Sequence, residues 1–255
     1  MAESDRPRSP FAAIADLSAQ KPIRVLSGDE IEQMLASHRL YLETEYHEGH
    51  RADFSSADLT GLDFAGLDLR GIKVDRALLR GANFAGASLR GANLTGATAQ
   101  EGRFDRADLS RARLSGANLV AASFMDACLA KAEMEFALMA NAVFQGAYLC
   151  EADMSGTVVD GAVLTRADLR KANLRGAGFR DARLDQADLR DARLGVPSWP
   201  GLRYAVPICA GRICVWPSST APTCPMPVWK LSKACRGLSW TGHSSTAGRN
   251  CSKVC

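Results

Sequence analysis

Ala52-Asp53-Phe54-Ser55-Ser56 is followed without a gap by Ala57-Asp58-Leu59-Thr60-Gly61, and this five-residue unit decides the fold. From Phe54 to Leu194 every fifth residue is apolar, 29 positions without a slip of phase, all Leu, Phe, Met or Val except Ala99. Two residues before each stands alanine at 24 of the 29, the exceptions being Leu62, Leu67, Ile72, Gly102 and Thr157. A helix repeats at 3.6 and a flat strand at 2, so a strict period of 5 demands a solenoid in which each pentapeptide forms one short side.

Like residues recur at a second interval. Phe64, Phe84, Phe104, Phe124 and Phe144 are spaced by 20, and Leu69, Leu89, Leu109, Leu129, Leu149, Leu169 and Leu189 form an unbroken leucine series at the same spacing. Met134 and Met154 stand in a third series between Leu114 and Leu174. Stacking of like on like is best if twenty residues complete one turn, which makes four sides. The large apolar residue and the alanine two before it then point inward, where anything bigger than alanine overpacks a narrow tube. At about 4.8 Å per coil the rod is roughly 35 Å long.

The units A-D-F-S-S, A-D-L-T-G, A-N-L-T-G, A-D-L-S-R and A-D-L-R-K resemble those of the pentapeptide-repeat family, over 145 of the 255 residues. That resemblance implies an all-β solenoid, a right-handed quadrilateral β-helix with four pentapeptides per coil. The predicted organisation is a disordered N-terminus over 1–26, an N-terminal capping α-helix over 27–50, the β-helix over 52–196, and a Cys/Trp/Pro-rich tail over 197–255.

Ser27-Gly28-Asp29-Glu30 reads as a capping box, in which the Ser27 oxygen and the Glu30 carboxylate satisfy free amides of a helix start. Ile31, Met34, Leu35, His38 and Leu42 follow at helical spacing, and Gly49 stops the run. This helix would lie across the first coil, where the bulky exceptions Leu62, Leu67 and Ile72 could meet it. His38 falls on the apolar stripe and reads as a packing residue. His47 and His50, flanking Gly49 near Glu48, read as an exposed helix end ahead of a metal site. Residues before Ser27 contain no apolar run long enough for a signal peptide.

Composition changes abruptly at the end of the repeats. The last 64 residues, from Ala192, hold no Asp or Glu, whereas the preceding 191 hold all 28. The tail carries all four Trp, six of the eight Cys and seven of the ten Pro. Three readings stand open: a Cys-rich module, a basic arm, or the product of a shifted reading frame in a GC-rich gene. Cys209, Cys214, Cys224, Cys235, His243, Cys251 and Cys255 offer metal-ligand chemistry, but no C-x-x-C spacing supports a zinc site. If the frame is shifted, Phe179, Leu184 and Leu189 would form an exposed apolar end favouring a homodimer through the C-terminal coils.

Charge bounds the partner. The repeats hold 19 acids and 18 bases, so the formal +3 of the chain comes from seven tail bases. Lys131, Glu151, Lys171 and Asp191 form an outward column of alternating sign. Arg170 and Arg190, with Arg70 and Arg90 in the same column, offer a basic patch, but interspersed Asp181, Asp185, Asp188 and Asp191 favour a neutral surface. Asp53, Asp58, Asp63 and Asp68 head repeats on four different sides and cannot converge on one metal. Cys128 and Cys150 fall at outward phases and are expected to be reduced surface thiols in a cytoplasmic protein.

No catalytic, cofactor-binding or metal constellation emerges: there is no Ser-His-Asp arrangement, phosphate loop or H-E-x-x-H. The expectation is therefore a non-enzyme, a bacterial, cytoplasmic protein-binding scaffold with no membrane span. The alternative follows from the resemblance. Some pentapeptide-repeat proteins mimic duplex DNA and bind type II topoisomerases, protecting DNA gyrase from quinolones. Those rods are strongly acidic, dimerise at their C-terminus and can carry an interrupting loop; this chain departs on each point.

Overall fold

The last residue of each pentapeptide sets the shape of the coil. In the computed structural model, which describes residues 22–194 and an antiparallel pair of two-residue strands (β1, Ile208–Cys209; β2, Arg212–Ile213), that residue lies in the left-handed region throughout the repeats. Glycines such as Gly61 and Gly71 have φ of 70°, and non-glycines such as Ser56, Ala121 and Lys131 have φ of 56–59°. Each corner is closed by a backbone bond across it, as from Ala57 N to the Phe54 carbonyl at 3.0 Å and Ala82 N to the Leu79 carbonyl at 3.0 Å. Glycine is frequent there because it alone occupies this region without steric cost. A flat run of three residues and a sharp corner, repeated, make one side of a tube.

Successive coils pair in parallel. From Asp53↔Lys73 to Asn173↔Arg193, one residue of every pentapeptide bridges to the residue twenty positions on, giving four ladders around the tube. Each side contributes a single bridged residue, so these ladders are isolated bridges and not extended strands. The ladders are bonded on both sides of each bridged residue: Phe54 N donates to Lys73 O at 2.8 Å, and Lys73 N donates to Ala52 O at 3.2 Å. A coil therefore depends on its neighbours for its backbone bonds.

The lumen is filled as the periodicity predicted. The phenylalanine series from Phe64 to Phe144 is a stack with ring centroids 4.9–5.1 Å apart and planes within 10°. The leucines at 69 to 189, Met134 and Met154 are buried, as are the alanines two before the large residues from Ala77 to Ala177. Among the bulky exceptions, Ile72 is buried, while Leu62 and Leu67 are half-buried and pack on the core. Phe179, Leu184 and Leu189 are buried.

The helix, α1, spans Gly28–Glu43. Its capping box is complete: Glu30 N donates to Ser27 Oγ at 3.2 Å, and Ser27 N donates to a Glu30 carboxylate oxygen at 2.7 Å. Hydrogen bonds from the Ser27 backbone N–H and from its hydroxyl, at 3.0 Å, hold the Glu30 carboxyl below the usual range. Ile31, Met34 and Leu35 pack against the core and His38 is buried. α1 ends six residues before Gly49, so that glycine does not stop it. A turn intervenes at Thr44, whose N–H and Oγ donate to the Leu40 carbonyl.

The expected disorder of 1–26 fails at its end. Arg24 bridges Ala57 in parallel, receiving a bond from Asp58 N at 2.9 Å and donating to Ser56 O at 2.7 Å. Residues around Arg24 thus supply one ladder with the rung that the first coil lacks, which no side-chain periodicity could reveal. The expectations for residues 1–21 and the readings of the tail lie outside the described residues, apart from the backbone of the β1–β2 pair.

A candidate interaction surface on the rod

The outward positions form columns, and the residue just before each large apolar side chain is where Asp and Asn collect. The reason is local. Asp53, Asp58, Asp63, Asp108 and Asp153 each accept the backbone N–H two residues on, at 3.0 Å. The side chain fixes the chain direction into the corner, as Asx turns do. Hydrogen bonds from the side chain and backbone of Thr60 hold the Asp58 carboxyl below its usual range. These carboxylates are structural, on four different ladders.

Arginines two residues after such an Asp are tied to it. Arg70 pairs with Asp68 and Arg170 with Asp168, each at 2.7 Å, and Arg190 with Asp188 at 2.5 Å. At Asp188, burial works to raise the carboxyl, but the hydrogen bonds from Arg190 outweigh it and the group lies below its usual range. The basic patch weighed in the sequence is thus a series of internal pairs. Lys131 and Glu151 meet at 3.6 Å in the expected alternating column. Exposed pairs of this kind add little to stability.

The expectation concerning cysteine is revised, whereas His47 is exposed as its place at the helix end implied. Cys128 and Cys150 are not reduced surface thiols: both are buried and disulfide-bonded. Their phase does point away from the lumen, but they pack in one cluster with Ala130, and half-buried Tyr148 lies against it. The thiol argument for a reducing compartment falls away with that finding. His47 Nδ1 lies 2.8 Å from the Thr44 carbonyl, a bond within the turn after α1.

His38 is buried more deeply than its stripe position suggested, at 1% exposure. Ala52 N donates to its Nδ1 at 3.3 Å, which places the ring proton on Nε2, where it has no hydrogen-bond partner. Burial pushes its pKa below the ordinary 6.5, assisted by Arg51 and Arg70 and opposed by Asp68; the Tyr41 ring stacks alongside at 6.3 Å. The sign follows. As pH falls through 6.5, the unfolded chain takes up a proton that the folded protein resists, so stability falls until the lower folded pKa is reached. The melting temperature should drop more between pH 7.5 and 5.5 in the parent than in His38→Gln; equal slopes would show that His38 titrates freely.

Exposed large apolar side chains are few and partly clustered. Phe136 is 72% exposed, Leu138 44% and Met125 39%. Sequence reading missed them because they sit at outward phases, and nothing in the five-residue period marks an outward apolar residue as unusual. The signal available was at position 136, where its column otherwise holds glycine from 96 to 176.

Parallel ladders at an interval of twenty around a filled lumen define a β-helical solenoid. The Pentapeptide repeats family matches in eight copies spanning residues 50–195, and the chain belongs to that family, whose members fold as right-handed β-helices. No curated protein matches the chain. Among solved structures, a pentapeptide repeat protein of the Arabidopsis thaliana thylakoid lumen is 34% identical over 44% of this chain and 68% of its own, with a TM-score of 0.31. HetL of Nostoc sp. strain PCC 7120, a pentapeptide repeat protein involved in heterocyst differentiation regulation, is 30% identical over 58% of this chain and 85% of its own, at 0.23. QnrB1, a plasmid-mediated fluoroquinolone resistance protein, is 16% identical over 55% and 83%, at 0.33. Among the described residues no helix is long and apolar enough to cross a membrane, and no group of three potential metal ligands converges.

Proposed function

We propose that this protein is a non-catalytic scaffold for protein–protein interaction, with the β-helix over 52–196 as the docking rod and α1 as the cover of its N-terminal end. The observation that carries this reading is the register itself. Outward side chains repeat at fixed intervals on four ladders, so a partner meets a surface already ordered and little conformational entropy is lost on its side of the contact. The test is a photo-crosslinking residue placed at Ser88, Thr98, Arg103 or Arg113, one outward position on each of the four ladders. A discrete adduct from one ladder in the native host supports the scaffold; no adduct from any ladder overturns it.

Mimicry of duplex DNA toward a type II topoisomerase is the weaker reading. It needs a continuous negative stripe, whereas the column Asp53, Lys73, Asn93, Arg113, Glu133 changes sign along its length. The full-length protein at micromolar concentration is accordingly expected to leave DNA gyrase supercoiling unchanged, with or without a quinolone. Inhibition or protection would replace the scaffold by the mimic.

A further inference from the structure

The middle of the rod carries an apolar strip where coils nearer its ends carry polar side chains or glycine. Phe136 projects from a corner column that is glycine at 96, 116, 156 and 176. Its ring leans over the next coil: a Cβ at Gly156 would stand 2.6 Å from Cδ1 and Cε1. Leu138 is exposed on the adjoining side, laddered between Asn118 and Val158, and Val120, Ala140 and Val158 are half-buried beside it. Toward the ends, Thr98, Gln100, Gly178 and Arg180 stand at the same register positions.

Negative charge gathers on the same coils, although the rod as a whole is near neutral. Residues 123–162 hold six acids and one base, Lys131, whereas 103–122 hold four bases and two acids, and 163–182 five bases and two acids. Lys131 is taken by Glu151. Glu133, Glu135 and Asp160 are in no ion pair among the described residues, unlike Asp68, Asp168 and Asp188, each of which holds an arginine. Glu135 accepts a hydrogen bond from Ser115 Oγ, and Asp160 accepts one from Arg180 N at 2.9 Å; neither bond neutralises the carboxylate. By register Glu133 and Glu135 stand on the side before Phe136, and Asp160 on the side after it, one coil beyond Ala140. The apolar strip is thus flanked on both edges by carboxylates without a base.

We infer that this strip is where the scaffold takes its partner, and that the partner presents a basic amphipathic protein segment. Its large apolar side chains seat against Phe136 and Leu138, and its lysines or arginines face Glu133, Glu135 and Asp160. The inference rests on the scaffold reading and names the site and the partner chemistry within it. Charge complementarity selects the occupant. A second copy docked on the same strip about a two-fold axis sets carboxylates against carboxylates, and nucleic acid or an anionic lipid surface is repelled by the same groups. An apolar centre inside a charged rim divides the work of a contact: the centre supplies affinity, and the rim chooses the partner.

The probe is a fluorescein-labelled amphipathic helical peptide of leucine and lysine, titrated with the full-length protein and read by anisotropy. The same peptide with glutamate in place of lysine is its control. The lysine peptide should bind with a Kd of about 10 μM, and the glutamate peptide should not bind. Phe136→Gly with Leu138→Asn places at each position the residue that stands one coil before it, in Gly116 and Asn118, so the rod has no reason to fail. This variant should weaken binding about tenfold. Glu133→Gln with Glu135→Gln keeps an acceptor for Ser115 Oγ, and should weaken binding about fivefold and flatten its dependence on salt. No binding of the lysine peptide, equal binding of the glutamate peptide, or an affinity unchanged in the Phe136 and Leu138 variant overturns the inference. Self-association of the parent that this variant abolishes assigns the strip to a second copy and overturns it too. A photo-crosslinked adduct that persists in the variant removes this inference while leaving the scaffold in place; the scaffold itself falls only if no ladder gives an adduct.

Discussion

Leu109→Asp should abolish folding. Leu109 is fully buried, stacked by register between Leu89 and Leu129, and flanked by Ala107 and Ala112 in a lumen lined with apolar side chains. An ionised carboxylate there would have no partner, and even the protonated acid would lack an acceptor or a water. The loss cannot stay local. Leu109 N donates to Cys128 O at 2.7 Å and Asp108 N to Ala87 O at 2.9 Å, so the coil that opens takes bonds from the coil on either side. In a solenoid whose units contact only their neighbours, a break at mid-length leaves two pieces each with a raw end. Truncation to Leu109→Ala should be milder, at about 2–5 kcal/mol. Thr98→Asp is the control: it is an outward position of the type Asp already occupies, and should stay within about 0.5 kcal/mol of the parent. The measurement is circular dichroism on soluble protein with a thermal melt. A soluble Leu109→Asp protein with a parent-like cooperative transition would contradict the filled-tube account.

How far this fold was legible depended on whether the determinant was a side chain or a backbone. The period of five located the inward residues because a tube with one inward apolar residue per side must repeat it at the length of a side. The interval of twenty between Phe64 and Phe84 located the coil because rings stack only where coils close, and the observed stack follows that interval. Ser27 and Glu30 marked the start of α1 because a capping box is a side-chain device. The rung supplied by Arg24 is made by backbone bonds alone and leaves no trace in residue type. Cys128 and Cys150 defeated the reading for another reason: outward phase was equated with exposure, yet small neighbours such as Ala130 let an outward residue be buried. Phe136 was missed for a different reason: it is exposed as its outward phase implies, and the period does not mark an outward residue as apolar. The period of five constrains the lumen, and it says little about the outer surface on which a partner would act.

Gly49→Ala should cost about 3 kcal/mol, and for a reason that its place after a helical run did not suggest. After α1 the chain turns through Glu45 and Tyr46, with φ of 51° and 77°, and doubles back along the helix. Gly49 is the point of closest approach: a Cβ there would lie 2.2 Å from Ser37 O and 2.8 Å from Tyr41 N. Both are backbone atoms of α1, so no flexible side chain can yield. Its φ of +71° adds about 1–2 kcal/mol for any L-residue. Displacing this segment also strains the bonds that follow it, from His50 N to Ser37 Oγ at 2.9 Å and from Ala52 N to His38 Nδ1 at 3.3 Å, each contributing about 1 kcal/mol. Loss of the latter should let the His38 pKa return toward its ordinary value, which NMR titration would register separately from the melt. Gly61→Ala separates the two causes. Gly61 has φ of +70°, and a Cβ there meets nothing within 4 Å, so it should show the conformational cost of about 1–2 kcal/mol alone. If Gly49→Ala costs no more than Gly61→Ala, the contact with Ser37 and Tyr41 does not constrain the chain; if it costs clearly more and His38 titrates closer to its ordinary value, Gly49 is what lets the turn after α1 lie against the helix.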